Sequence, residues 1–284
     1  MEQYHFIINP KSGSYKGRGI IQKINVGFEG YKINIHVTEY PGHAKEIVKE
    51  LGAQNDQIIV AVGGDGTVNE ISENMLFGSN LLGIIPSGSG NGLAGHMGIS
   101  KNIESCFEKI KKKNFIECDV IKVNDFISCN TAGVGFDAYV AKIFGKDGRR
   151  GFGAYLRLGL SGYSKYPVIQ ANFLNETFTG LLTLEIANSS QLGNEAYISP
   201  NSKNWDGIAE VVLFKKPKFY QVPGVMYDVF TKRFDQSKLT TIYAMKEGII
   251  HLNRLTDLHI DGEYRGETDI LVFKVLPKAL KIIC

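Results

Sequence analysis

QIIVAVGGDGTVNE, residues 57–70, runs from one kind of pattern into another without a gap. Its first part, QIIVAV (57–62), is a short apolar run rich in β-branched side chains, as expected of a strand buried on both faces. Gly63, Gly64 and Gly66 follow at once, and Thr67, Asn69 and Glu70 stand where a helix would open. A strand that ends in glycines and restarts as a helix is the repeating unit of a parallel α/β sheet, which holds ligands beyond the carboxyl ends of its strands. Glycines let backbone N–H groups approach an anion without a Cβ in the way, and the helix start adds partial positive charge. Asp65, set among these glycines, would repel a phosphate unless a counter-ion intervened. Mg²⁺ supplies one, because it favours carboxylate, water and phosphate oxygens. Asp65 is therefore a candidate metal ligand, direct or through water. Thr67 is a phosphate contact or an N-cap.

The same pattern extends on both sides. YHFIIN (4–9), YKINIHVT (31–38) and LLGIIP (81–86) are further expected strands, and 43–51 places Ile47, Val48 and Leu51 on one helical stripe. Right-handed crossovers would join them into one sheet. Two of these strands also end in glycine-rich turns, Asn9-Pro10-Lys11-Ser12-Gly13 and Pro86-Ser87-Gly88-Ser89-Gly90-Asn91-Gly92. One such turn alone would be only a tight connection. Three at one sheet edge suit a polyphosphate, with Lys11 and the hydroxyls of Ser12, Thr38, Thr67 and Ser89 as candidate contacts.

After about residue 115 the texture changes. Strand-like runs at 116–123, 125–131, 167–174, 180–188, 208–214, 239–246, 249–252, 257–261 and 269–275 follow one another, with helical insertions at about 134–164 and 222–232. The expected architecture is an α/β, three-layer nucleotide-binding domain with a mainly parallel sheet over 1–122, to which 276–284 returns, and an antiparallel β-sandwich over 123–275. At 284 residues the chain is long enough for two cores, and its 43% hydrophobic and 21% charged residues are those of an ordinary globular protein. A net charge of +3 gives no reason to expect nucleic acid as a partner. Four cysteines without CxxC spacing fit a reduced, cytoplasmic setting. No apolar run reaches the roughly 20 residues of a membrane span, so any membrane contact is expected from outside.

In order and spacing, NPKSG, GGDGTVNE and PSGSGNGLA closely resemble the catalytic domain shared by bacterial diacylglycerol kinases, sphingosine and ceramide kinases and YegS-like lipid kinases. NTAGVGFDA (130–138), Trp205-Asp206-Gly207 and Asp261-Gly262-Glu263 continue the resemblance to the C-terminus. One departure is Gly88-Ser89-Gly90-Asn91, where the family commonly has Gly-Thr-x-Asn; serine keeps the hydroxyl. The GLAG that follows is closer to the sphingosine and ceramide kinase variant.

The resemblance implies transfer of the γ-phosphate of ATP to a hydroxyl of a membrane lipid, with Mg²⁺. It implies nucleotide contacts from Asn9, Pro10, Lys11, Ser12, Gly13, Thr38, Gly63, Gly64, Asp65, Gly66, Thr67, Asn69, Glu70, Ser89 and Asn91. The base and its orientation are expected from Glu263 and Asp261, with Asp65 on the metal or the acceptor. If 261–263 stays extended, both acids face one way; if Gly262 bends the chain, they need not. Asp137 is expected at the lipid head group or as a helix-start carboxylate, and Asp206 at a structural Mg²⁺ or in a simple turn. Lys142, Lys146, Arg149 and Arg150, before Phe152, Tyr155 and Leu156, are phosphate or head-group cations or a solvated run. The implied setting is cytoplasmic, peripheral at the inner membrane face, with a homodimer left open. Two alternatives stand beside it: an NAD-kinase or phosphofructokinase-like small-molecule kinase, and a nucleotide-binding regulator without transfer.

Overall fold

The computed structural model describes residues 3–13, 18–52, 56–147, 162–163 and 166–284. Strands β1 (Tyr4–Ile8), β2 (Ile33–Val37), β3 (Ile58–Gly63) and β4 (Leu81–Pro86) lie in the order β2-β1-β3-β4, every pair parallel. β1 and β3 are buried along their whole length, which explains their unbroken apolar sequence. Helices α1 (Arg18–Gly27), α2 (His43–Leu51), α3 (Asp65–Ser72), α4 (Gly92–His96) and α5 (Ile103–Lys112) link and cover them. In α5, Ile103, Cys106, Phe107 and Ile110 form the buried stripe, and Asn102 caps its start by accepting the Ser105 N–H at 2.8 Å. The basic residues Lys109, Lys111 and Lys112 fall in the last turn, where the helix dipole favours cations.

The second half contains β5 (Phe115–Val123), β6 (Phe126–Ser128), β7 (Thr131–Gly135), α6 (Phe136–Asp147), β8 (Ile169–Phe173), β9 (Glu176–Ala187), β10 (Gln191–Gly193), β11 (Ala196–Tyr197), β12 (Ala209–Lys215), α7 (Val222–Phe230), β13 (Thr240–Met245), β14 (Glu247–Ile260) and β15 (Glu263–Ile283). Their pairing is antiparallel around a core that includes Val134, Ile186, Val211, Leu258 and Phe273. The runs at 249–252 and 257–261 are one strand, β14, and the run at 269–275 and the returning segment from 276 are parts of the 21-residue β15. Irregular register made each look like two: β14 shifts between His251 and Thr256, and β15 between Leu276 and Leu280, where Pro277 cannot donate and Lys278 has φ 52°.

β15 also corrects the expectation of a mainly parallel sheet. It pairs antiparallel with β14 and β5, then meets β4 in parallel at Ile282 and Leu82, so both halves share one 13-stranded sheet. Parallel pairing is confined to its β2-β1-β3-β4 end and that single contact; the rest is antiparallel. The 261–262 turn that starts β15 faces the glycine loops.

Candidate active site

The three glycine turns do converge. Gly88 and Gly64 approach so closely that a Cβ on Gly88 would lie 2.4 Å from the Gly64 Cα, so neither loop tolerates a side chain there. Ser12 Oγ and Ser87 Oγ are 2.7 Å apart, and Gly13 lies against the Ser87 carbonyl. Asn9 donates through Nδ2 to Thr67 Oγ1 at 3.1 Å and accepts the Lys11 N–H at 3.0 Å. Asn91 closes the third loop by accepting from the Gly88 N–H and donating to the Gly88 carbonyl, both at 2.8 Å.

Two cavities open from this junction. The larger, about 790 Å³, is lined by Asn9, Lys11, Ser12, Thr38, Gly64, Gly66, Thr67, Asn69 and Glu70 from the first half, with Ile260, Glu263 and Arg265 from the second. The smaller, about 310 Å³, is lined by Asp65, Ser89, Gly90, Asp137, Leu192, His259 and Asp261 among others. Gly66 and Glu263 line both. Of the residues expected at the nucleotide, Ser89 and Asp65 therefore face the smaller cavity. Pro10, Gly13, Gly63 and Asn91 line neither and shape the loops instead.

Asp65 accepts the N–H groups of Gly92 at 3.1 Å and Leu93 at 3.3 Å, at the start of α4. Its carboxyl is nonetheless pushed up to about 6, first by burial and further by the charge of Asp261, against the lowering effect of the amides.

Asp261 and Glu263 do not act as a matched pair on one face. Ile260 pairs with Glu263, and the two residues between them both have positive φ, 49° at Asp261 and 80° at Gly262. This is a two-residue hairpin loop in the sense that favours Asp-Gly. The bend drives Asp261 inward, where its carboxylate accepts hydrogen bonds from Asn69 Nδ2 (2.8 Å), Ser128 Oγ (2.6 Å) and the N–H groups of Cys129, Asn130 and Thr131 (3.0, 2.9 and 3.1 Å). Asn69 also donates to the Ile127 carbonyl at 2.7 Å, so Asp261 fastens β7 and α3 to the hairpin. An acceptor this saturated in a buried position is a clasp.

Glu263 remains reachable, with its side chain 47% exposed at the mouth of the junction and Arg265 paired to Oε2 at 2.9 Å. Protein crowding around the carboxyl raises its pKa; Arg265 opposes this, and Glu70 and Asp261 reinforce it.

Sequence patterning missed a second cluster. Asp137, at the start of α6, accepts from Thr183 Oγ1 at 2.8 Å and lies 3.2 Å from His259 Nε2, which is 3.0 Å from Glu185 Oε1. The Gly262 N–H donates to His259 Nδ1 at 3.3 Å, so the ring proton is on Nε2 and points at the two carboxylates. The signal was present in TLEIA, where Thr183 and Glu185 alternate with Leu184 and Ile186 in an otherwise apolar strand.

Other candidates stand elsewhere. Asp206 is exposed, accepts the Ile208 N–H at 3.1 Å within its own turn, and lines neither cavity. Lys142 is committed to Asp257 at 2.6 Å and Glu267 at 3.0 Å. Arg149, Arg150, Phe152, Tyr155, Leu156 and the side chain of Lys146 lie outside the described residues. Among the described residues, no helix is long and apolar enough to cross a membrane.

Comparison with known proteins agrees with this layout. Residues 3–123 match the diacylglycerol kinase catalytic domain, and residues 134–284 match the YegS C-terminal NAD kinase β-sandwich-like domain. A protein of Shewanella frigidimarina named "Probable lipid kinase YegS-like" is 26% identical over 90% of this chain and 85% of its own length. A diacylglycerol kinase of Staphylococcus saprophyticus is 26% identical over 92% of this chain and 88% of its own. In fold, the chain resembles the crystal structure of a diacylglycerol kinase from Bacillus anthracis, with TM-score 0.75, 20% identity and coverage of 99% and 96%. It also resembles, more distantly, an NAD kinase from Archaeoglobus fulgidus in complex with ATP, at TM-score 0.55, 13% identity and coverage of 100% and 94%. With both halves matched in sequence order, the chain belongs to the family of diacylglycerol kinases and YegS-like lipid kinases.

Proposed function

We propose that this chain transfers the γ-phosphate of ATP to a hydroxyl of a membrane lipid, with Glu263 as the base. The observation that carries this is the double membership of Gly66 and Glu263 in the walls of two cavities. The larger, ringed by glycine turns and hydroxyls, suits a triphosphate; the smaller suits an acceptor head group beside Asp137. A carboxylate where donor and acceptor meet can take the hydroxyl proton, and its raised pKa brings it nearer working pH. Arg265 steers Glu263, and Asp261 positions the hairpin that presents it rather than acting as a base itself.

Asp65, Asp261 and Glu263 line the smaller cavity together, and Arg265 pairs with Glu263 alone, an acid excess that fits a divalent cation. Mg²⁺ there would neutralise phosphate charge, with Asp65 a candidate ligand. The decisive experiment incubates the protein with ATP labelled in its γ-phosphate, Mg²⁺ and micelles of diacylglycerol, monoacylglycerol, phosphatidylglycerol, sphingosine or ceramide, followed by thin-layer separation. Label on one lipid is expected. No label on any lipid, with label on NAD or another soluble alcohol in a parallel incubation, would refute the lipid assignment and favour the small-molecule alternative.

A further inference from the structure

Among the described residues, the face of the second half that carries α7 gathers exposed aromatic side chains. Phe219 is 83% exposed, Tyr220 74%, Tyr227 57% and Phe230 38%, and all four fall within twelve residues. No residue of α7 is fully buried; Val225 and Val229, one turn apart, hold it against the cluster that includes Val212, Phe214 and Phe234. The helix is thus fixed by one narrow seam while its aromatic side chains point to solvent. An exposed apolar patch of this kind marks a surface that another phase or partner covers.

Charge says which. Residues 215–238 contain Lys215, Lys216, Lys218, Lys232, Arg233 and Lys238 against Asp228 and Asp235, a net +4 in a chain whose total is +3. The cations of this segment stand at both ends of the aromatic helix, with Lys215, Lys216 and Lys218 before it and Lys232, Arg233 and Lys238 after it. Aromatic and aliphatic side chains between flanking cations are the composition of a helix lying in the head-group region of an anionic bilayer.

Position relates this face to the chemistry. α7 packs on β11, whose Ala196 lines the smaller cavity, and Lys232 Nζ stands 4.6 Å from the Tyr197 ring centre in the same strand. Leu192, another wall of that cavity, joins the apolar cluster under α7. We infer that the 219–230 segment, with its flanking lysines and arginine, is the surface by which this chain docks on anionic bilayers, setting the acceptor cavity at the membrane. The inference rests on the reading of the acceptor as a lipid.

The test is co-sedimentation of the full chain, without ATP, with phosphatidylcholine vesicles that contain or lack phosphatidylglycerol. Wild type is expected to bind the anionic vesicles preferentially and to be released as ionic strength rises. F219S/Y220S should weaken that binding ~10-fold without changing the melting temperature, because both rings stand in solvent. K215E/K218E, a second variant at exposed positions, should abolish the preference for anionic over neutral vesicles. Kinase activity should fall ~10-fold in F219S/Y220S when lipid is presented in vesicles and stay unchanged with a monomeric short-chain lipid. Vesicle binding identical in wild type and F219S/Y220S, or no wild-type binding at all, overturns the docking surface, as does a variant that changes only oligomeric state. Aromatic-dependent vesicle binding in a protein that phosphorylates no lipid supports the docking surface while removing the kinase reading.

Discussion

Gly66→Ala separates catalysis from stability at the junction of the two cavities. A Cβ on Gly66 would lie 1.9 Å from Glu263 Oε1 and 2.8 Å from its Cδ. To regain an ordinary contact near 3.4 Å, the carboxylate must retreat by about 1.5 Å. It can do so at little cost, because it is the far end of a flexible side chain, and Gly66 lies in the first turn of α3, where alanine gains roughly 0.5–1 kcal/mol over glycine. The expected melting temperature is unchanged or slightly higher. Displacing a reacting group by more than 1 Å costs on the order of 10²-fold in turnover, or about 2.7 kcal/mol of transition-state stabilisation. Labelled-phosphate transfer to micellar lipid, run beside thermal melting, measures both. Glu263→Gln should lose about 10²- to 10⁴-fold by removing the base outright. Because both changes act on the same carboxylate, the G66A/E263Q double variant should be no slower than E263Q alone. Full turnover in G66A, or losses that multiply in the double variant, would refute the placement of Glu263 at the reacting atoms.

Asp65 makes stability depend on pH with a defined sign. The unfolded group ionises near 3.8 and the folded one near 6, so the folded protein holds a proton that the unfolded chain has released, and stability falls as pH rises between these values. Acting alone, the group would contribute a loss of about 3 kcal/mol. In Mg²⁺-free melts, the difference between wild type and Asp65→Asn should grow across that window and stay flat above it; a constant difference would remove Asp65 as a strained carboxylate. Asp261→Ala would leave Asn69, Ser128 and three backbone N–H groups without their acceptor. A loss of at least about 3 kcal/mol by urea unfolding is expected, where a solvated acid would cost almost nothing. Gly88→Ala forces apart two backbones that approach within van der Waals contact. It should weaken ATP binding about tenfold or more by calorimetry, with a destabilisation of about 1–3 kcal/mol.

Local pattern revealed what depends on neighbouring residues. The apolar run at 58–62 followed at once by glycines is both strand and turn, so the four parallel strands and the place of their loops could be read from sequence. Asp261 shows where such reading stops. From HIDGE alone, an extended chain puts residues 261 and 263 on one face, and only positive φ at both Asp261 and Gly262 decides otherwise. That backbone choice turns Asp261 toward donors 130 to 192 residues away in sequence, and none of those partners carries a local signal that it awaits a carboxylate. His259 is hidden for the same reason, and the alternation that marks Glu185 names no partner, since the two meet only once β7, β9 and β14 lie side by side. The two acids of Asp-Gly-Glu therefore divide one task. The buried one fixes the hairpin against both halves of the chain, so that the exposed one stands, with its pKa raised by the crowding this fixation creates, at the boundary of both cavities.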